Sequence, residues 1–137
     1  MKSKKIVEIL KDKYFNLFIL AFFVFFIFQY ASMPSIIPEF LRGTLFERIA
    51  DYSIKLGFAH AAEYAVLSLL FFRFLYLMEV KHAAVYAASI AIVLGVGAEL
   101  YQLFIPGRYC DIIDMTCNAI GAIAVQFLGK FRLIFLK

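Results

Sequence analysis

Three short stretches of this sequence carry polar side chains at helical spacing, and their residue types could bind ions or transfer protons. They are His60, Glu63 and Tyr64; Glu99 and Gln102; and Asp111, Asp114 and Asn118, with Arg108 just before the last group. Residues three or four apart lie on one face of an α-helix. Imidazole and carboxylate groups serve as general bases or metal ligands, and a guanidinium grips phosphate through paired hydrogen bonds. The spacing predicts one polar site built from several helices.

The composition shows that this site lies in a largely apolar chain. Hydrophobic residues make up 64% of the 137 residues, and Phe alone accounts for 17 of them. Soluble domains contain about 45–50% apolar residues, and small domains bury only about 60–70% of their surface. The surplus must face lipid, which excludes an ordinary soluble enzyme, a disordered chain and a disulfide scaffold. The net charge of +4 fits loops that orient membrane spans, not nucleic-acid binding.

Four apolar stretches are long enough to cross a bilayer, so we predict one all-α membrane domain over residues 1–137. The expected spans are residues 14–32, 57–77, 83–105 and 111–129, each near the roughly 20 residues that crossing requires. In the third span, Ala87, Ala91 and Gly95 repeat every four residues, which lets a neighbouring helix approach closely. A short amphipathic helix on the membrane interface is predicted between the first and second spans, after Pro38.

Lysine and arginine residues in the flanking segments set the predicted orientation. Five lysines precede the first span, Lys81 lies between the second and third, and Lys130, Arg132 and Lys137 follow the fourth. Because cytoplasmic loops are enriched in these residues, both termini are predicted to be cytoplasmic. The polar groups then share one depth, at the outward end of spans two to four. The inner end has no comparable set, and Arg73 there is expected to extend toward the interface.

Two segments that carry these residues resemble the signatures of the VanZ-like family. The first signature, roughly K-x-x-H-F-x-E-Y-x-x-L, resembles residues 55–67, KLGFAHAAEYAVL. Here Lys55 lies five residues before His60, where the signature has about three. The second, roughly E-x-x-Q-x-F-x-P-x-R-x-x-D-x-x-D-x-x-x-N-x-x-G, resembles residues 99–121, ELYQLFIPGRYCDIIDMTCNAIG. The positions in register are Glu99, Gln102, Pro106, Arg108, Asp111, Asp114, Asn118 and Gly121.

The resemblance implies a multi-pass protein of the bacterial cytoplasmic membrane. The family is named after a protein associated with low-level resistance to teicoplanin, a lipoglycopeptide acting on cell-wall precursors, and no reaction is securely attached to it. We expect an outward-facing pocket for an anionic membrane lipid, a lipid-linked wall precursor or a lipoglycopeptide, with effects on envelope homeostasis or antibiotic resistance. The expected binding residues are His60, Glu63, Glu99, Gln102, Arg108, Asp111, Asp114 and Asn118.

Two other functions stay open beside binding. An intramembrane enzyme acting on a lipid headgroup would use His60 with Glu63 or Glu99 as catalytic residues, although no Ser or Lys falls clearly inside the cluster as a nucleophile. A proton-coupled transporter or flippase would use the same groups as a proton relay. A metal ion at His60 and the carboxylates would be a hard divalent cation. We favour binding without catalysis, metal or other cofactor, and leave homo-oligomerisation open.

Overall fold

The computed structural model describes residues 12–32 and 53–128, and these residues form four α-helices without any strand. The helices are α1 (Lys13–Ala31), α2 (Ser53–Leu77), α3 (Ala83–Gln102) and α4 (Ile112–Phe127). The first three contain segments long and apolar enough to cross a membrane. Helix α4 has 16 residues and rises about 24 Å, less than the roughly 30 Å of hydrocarbon core. The all-helical prediction is confirmed, with a fourth helix shorter than expected.

The boundaries of α3 and α4 differ from the predicted spans 83–105 and 111–129 because local hydrogen bonds end one helix and begin the other. After Gln102, three successive backbone N–H groups bond to carbonyls three residues earlier, which tightens the chain before Pro106. Asp111 then caps α4, because its Oδ1 accepts a hydrogen bond from the N–H of Ile113 at 2.7 Å. Hydropathy alone does not register these bonds, so α3 and α4 are each shorter than the corresponding predicted span.

Helix α2 begins at Ser53, four residues before the predicted span 57–77. The prediction followed the apolar run, but a helix can extend past the hydrocarbon core into the interface. Helix α1 begins close to the predicted position, because the carboxylate of Asp12 accepts a hydrogen bond from the N–H of Phe15. The predicted interfacial helix after Pro38 lies outside the described residues.

Helices α2 and α4 pack most closely, and their backbones touch at Gly121. A Cβ atom at this position would overlap the carbonyl group of Ala61. One turn earlier, a Cβ at Gly57 would lie 3.0 Å from the Sγ of Cys117. Because both contacts advance in the same direction along the two helices, α2 and α4 run parallel. Their first turns therefore lie at the same end of the bundle.

Helix α3 presents its small residues to both neighbours, as the four-residue spacing predicts. Ala87, Ala91 and Gly95 are all buried. A Cβ at Gly95 would lie 3.0 Å from the ring of Tyr64 on α2 and 3.2 Å from the Cβ of Asn118 on α4. The three helices therefore pack closely at this level, and this packing supports the polar side chains.

Helix α1 packs along the outside of this group, against α2 and α3. Its Leu20 and Ile27 join Tyr64 and Leu67 in the apolar core. Its other faces expose large aromatic side chains, which suits contact with lipid tails: Phe18, Phe22, Phe25 and Phe26. This arrangement leaves the end of α1 free to form one wall of a cleft.

Polar side chains also join the helices away from the predicted site, in a part of the bundle where no such contacts were expected. The hydroxyl of Ser68 donates to the carbonyl oxygen of Ala122 at 2.9 Å and accepts from the amide of Gln126 at 2.8 Å. Arg73, expected only to extend toward the interface, donates from Nε to the Oδ1 of Asn16 at 2.7 Å. These contacts fasten α4 and α1 to α2.

Candidate functional site

The first turns of α2, the last turns of α3 and the start of α4 meet at one end of the bundle, which we call the polar end. A cleft here is closed on its fourth side by the end of α1. Its polar lining is Tyr30, His60, Glu63, Tyr64, Glu99, Gln102 and Arg108. The enclosed space measures about 10 Å³, close to the minimum that holds one water molecule. A water or a small ion fits inside, and a larger ligand would lie at the mouth.

Glu99 is the most deeply buried charged side chain at the polar end, with 1% of its surface exposed. Its Oε1 accepts a hydrogen bond from the amide of Gln102 at 3.0 Å. Its Oε2 lies 3.3 Å from the backbone nitrogen of Asp111, which donates to it. These two bonds fix the carboxyl group and connect α3 to the start of α4.

His60 lies between carboxyl groups from the two neighbouring helices. Its Nε2 is 3.6 Å from the Oδ2 of Asp114, which is longer than a hydrogen bond allows. One ligand atom from each of His60, Glu99 and Asp114 falls within 4.8 Å of the other two. The Nδ1 of His60 is buried and has no hydrogen-bond partner among the described residues. Three helices thus bring one imidazole and two carboxyl groups together.

Arg108 enters the cleft from a tight turn between α3 and α4. The N–H of Arg108 donates to the carbonyl of Ile105 at 3.1 Å, and Gly107 has a φ of 77°. Proline followed by a residue with positive φ is typical of a type II turn, which favours glycine at the second position. The guanidinium carbon lies 6.0 Å from the ring centre of Tyr30. Its Nε is buried without a hydrogen-bond partner in the part of the chain described.

Asp111 and Asn118 stand apart from the other predicted site residues. The side chain of Asp111 is exposed and caps α4, so its contribution to the cleft is the backbone N–H that Glu99 accepts. Asn118 is 1% exposed and packs one turn deeper, against Gly95. Within residues 12–32 and 53–128, its amide atoms have no hydrogen-bond partner. The other six predicted residues lie in the cleft or beside it. The side chain of Lys55 lies outside the part of the chain that the structure describes.

Tyr30 belongs to the cleft although it is not among the site residues predicted from the sequence. Its ring centre lies 6.0 Å from the guanidinium carbon of Arg108, and it is part of the wall that α1 supplies. The available signal was its position near the outward end of the first span, level with the polar groups of the other three. Tyrosine is common at this depth as an anchor at the membrane interface. Its position in the sequence therefore does not predict that it lines a cleft.

Comparison with known proteins gives one result. No curated protein and no solved structure matches the chain significantly. The family model described as VanZ/LLP1 matches residues 13–134, a range that includes all four helices and every residue of the cleft. The chain is therefore a member of the VanZ/LLP1 family, as its two signatures predict.

Proposed function

We propose that this membrane protein binds the phosphate-bearing headgroup of an anionic lipid at the polar end, with Arg108 as the principal contact. The observation that carries the proposal is the buried Nε of Arg108, which has no hydrogen-bond partner among the residues described. A buried donor without a partner costs about 1–3 kcal/mol, and more when it is charged. A phosphate oxygen would supply the missing acceptor, and the planar guanidinium can bind two phosphate oxygens at once.

The surroundings of Arg108 suit such a ligand. The ring centre of Tyr30 lies 6.0 Å from the guanidinium carbon, within reach of a cation–π interaction, which would reduce the conformational freedom that Arg108 loses on binding. The small enclosed space means that the phosphate would sit at the mouth while the rest of the headgroup stays outside. The end of a membrane bundle lies near the level of lipid headgroups, so a lipid can reach this mouth from the side.

The distribution of lysine and arginine along the chain favours the outer leaflet of a bacterial cytoplasmic membrane as the location of the polar end. Outer-leaflet phospholipids and lipid-linked wall precursors are then the ligand classes within reach. A lipoglycopeptide of the teicoplanin type is a further candidate for the same mouth, through its own anionic groups. Binding of any of these would link the protein to envelope homeostasis or antibiotic resistance.

Native mass spectrometry with defined lipids tests the proposal. The full chain would be titrated with phosphatidylglycerol and, separately, with zwitterionic phosphatidylcholine of the same acyl chains. We expect a preference for phosphatidylglycerol that Arg108→Ala weakens about tenfold or more, equivalent to about 1.4 kcal/mol. Arg108→Lys should also lose affinity, because a point charge cannot form the paired hydrogen bonds of a guanidinium.

The matched control is Lys81→Ala, which removes a positive charge from the exposed loop at the opposite end of the bundle. This variant should bind phosphatidylglycerol as the wild type does. Equal binding by wild type, Arg108→Lys and Arg108→Ala, with unchanged melting temperatures, would show that Arg108 does not recognise the headgroup.

Catalysis on the bound headgroup is the second candidate function. His60 lies beside the carboxyl group of Asp114, so His60 could act as a general base that Asp114 orients. No Ser, Thr, Cys or Lys side chain lines the cleft within the described ranges, and the reaction we consider is attack by a water molecule that His60 deprotonates. Incubating the lipid-loaded protein and analysing its lipids would reveal any product. We expect the lipid to be recovered unchanged.

A further inference from the structure

We propose that His60, Glu99 and Asp114 together bind a divalent cation, and that Mn²⁺ fits this set of ligands best. The three ligands come from α2, α3 and α4, so the ion would join three helices at the polar end. Their ligand atoms already lie within 4.8 Å of one another. Two atoms bound to one ion at about 2.0–2.2 Å are separated by roughly 3 Å when they are adjacent and by up to about 4.4 Å when they are opposite, so the three ligands would move closer together when the ion binds.

The distance between His60 and Asp114 supports a shared ion over a direct bond. At 3.6 Å, Nε2 and Oδ2 are too far apart for a hydrogen bond but suitably spaced as neighbouring ligands of a metal. An ion pair at this distance requires a protonated His60, whereas a shared cation would join the neutral imidazole to the carboxylate across the α2–α4 contact.

The balance of charge around the cleft also favours a cation. Glu63, Glu99 and Asp114 bring three carboxyl groups to this place, whereas Arg108 is the one guanidinium among the cleft-lining side chains of the described chain. Carboxylates removed from water without compensation are costly in a membrane protein. A divalent ion between Glu99 and Asp114 would neutralise the excess, and the negative charge would no longer repel an anionic headgroup.

The groups around the three ligands resemble the supporting contacts of a metal site. Gln102 and the backbone N–H of Asp111 each hold one oxygen of Glu99, and contacts of this kind orient ligands around an ion. Each of those oxygens keeps a second lone pair. The space beside His60 and Glu99 has the size of a water or an ion, and the buried Nδ1 of His60 still has hydrogen-bonding capacity to use.

The types of ligand decide which ion is expected. Two carboxylates favour Mg²⁺, Ca²⁺ or Mn²⁺, and one imidazole favours a transition metal. Mn²⁺ is the common member of both groups. With three protein ligands, the remaining positions of an octahedral ion are open to water or to a phosphate oxygen. The last step rests on the proposed function: the ion and Arg108 would hold one phosphate between them.

Binding of Mn²⁺ to the full chain in detergent, after treatment with EDTA, tests the metal site without any lipid. Free Mn²⁺ would be followed by its electron paramagnetic resonance signal. We expect one ion per chain, with affinity reduced at least tenfold in Glu99→Gln and Asp114→Asn. Glu79→Gln is the matched control, because this exposed carboxylate lies in the turn at the opposite end of the bundle; it should bind Mn²⁺ normally.

Hyperfine coupling to an imidazole nitrogen gives a test that needs no variant. It should be present in the Mn²⁺ complex of the wild type, and its absence would overturn the assignment of His60. Equal Mn²⁺ affinity in wild type and Asp114→Asn would overturn the site itself. Melting temperatures of the metal-free variants, compared with metal-free wild type, separate loss of a ligand from loss of the fold.

A second titration separates this inference from the proposed function. Phosphatidylglycerol affinity should fall about tenfold when EDTA is present. A phosphatidylglycerol affinity that EDTA does not change would contradict the bridging ion but would leave Arg108 as the headgroup contact. Mn²⁺ binding that persists in Arg108→Ala, together with unchanged phosphatidylglycerol affinity in that variant, would support the ion and contradict the headgroup contact.

Discussion

Two aspartates three residues apart show how neighbouring side chains of one type take different roles. Asp111 and Asp114 share a helix face by spacing, and their sequence context predicts that both bind the ligand. In the structure, the exposed carboxylate of Asp111 accepts a hydrogen bond from the N–H of Ile113 and so begins α4. Asp114, one turn later, faces His60. The first residue therefore positions the helix, and the second is available to the site.

Substitution of Asp111 tests this difference. Asp111→Ala removes the capping acceptor, and loss of a helix N-cap costs about 1 kcal/mol. Asp111→Asn keeps an oxygen that can cap the helix, so its stability should match the wild type. Thermal melting followed by circular dichroism would measure both variants. If Asp111→Asn instead weakened phosphatidylglycerol binding while keeping its melting temperature, the carboxylate would belong to the ligand site after all.

Helical spacing predicted which residues share a face, but it could not predict which atoms meet. The pairing of Glu99 with Gln102 follows directly from their separation of three residues, and the structure contains that hydrogen bond. The contact between Arg108 and Tyr30 joins residues far apart in sequence and depends on how α1 packs. No local pattern contains that information, so the fourth wall of the cleft was not foreseen.

At the scale of elements, the site depends on the backbone contact between α2 and α4. Gly121 leaves no room for a side chain, because a Cβ would overlap the carbonyl group of Ala61. This contact, together with the parallel direction of the two helices, keeps Asp114 level with His60. Small residues allow such approach between membrane helices, where van der Waals packing is a main source of association.

Gly121→Ala should therefore destabilise the bundle and separate the two helices. Overpacking of a close contact costs about 1–3 kcal/mol, and more when backbone must move. Gly97→Ala is the matched control, because nothing lies within 4 Å of a Cβ built at that position. The control should be neutral or slightly stabilising, since Ala favours helix by about 1 kcal/mol over Gly. Equal melting temperatures for both variants would contradict the close α2–α4 contact.

Hydropathy predicted the number and approximate location of the helices, but it did not predict where they end or which hydrogen bonds join them. The end of α3 and the start of α4 depend on hydrogen bonds that an apolar run does not encode. Likewise, Ser68 and Gln126 are 58 residues apart, and their contact exists only because α2 and α4 run side by side. Their burial is explained by mutual hydrogen bonding, which averages about 0.6 kcal/mol per contact between membrane helices.

At the scale of the whole molecule, the proposed ligand depends on the side of the membrane that the polar end faces. Lys81 lies in the exposed loop at the end of the bundle opposite the cleft, and the sequence predicts that the N-terminal lysines and the basic C-terminal residues belong to the same side. Because Lys and Arg are retained on the cytoplasmic side, the cleft is expected to face outward. Only this orientation gives the cleft access to outer-leaflet lipids.

Labelling of single cysteines in intact spheroplasts would determine the orientation. Cys110 and Cys117 would first be replaced by alanine, and one cysteine then introduced at a time. Tyr109→Cys tests the polar end, where the native side chain is 78% exposed; Lys81→Cys tests the exposed loop at the other end. A membrane-impermeant maleimide should label Tyr109→Cys in intact spheroplasts and Lys81→Cys only after permeabilisation. The reverse pattern would place the cleft on the cytoplasmic side. Its ligand would then be a lipid headgroup of the inner leaflet, because wall precursors and antibiotics outside the cell could not reach it.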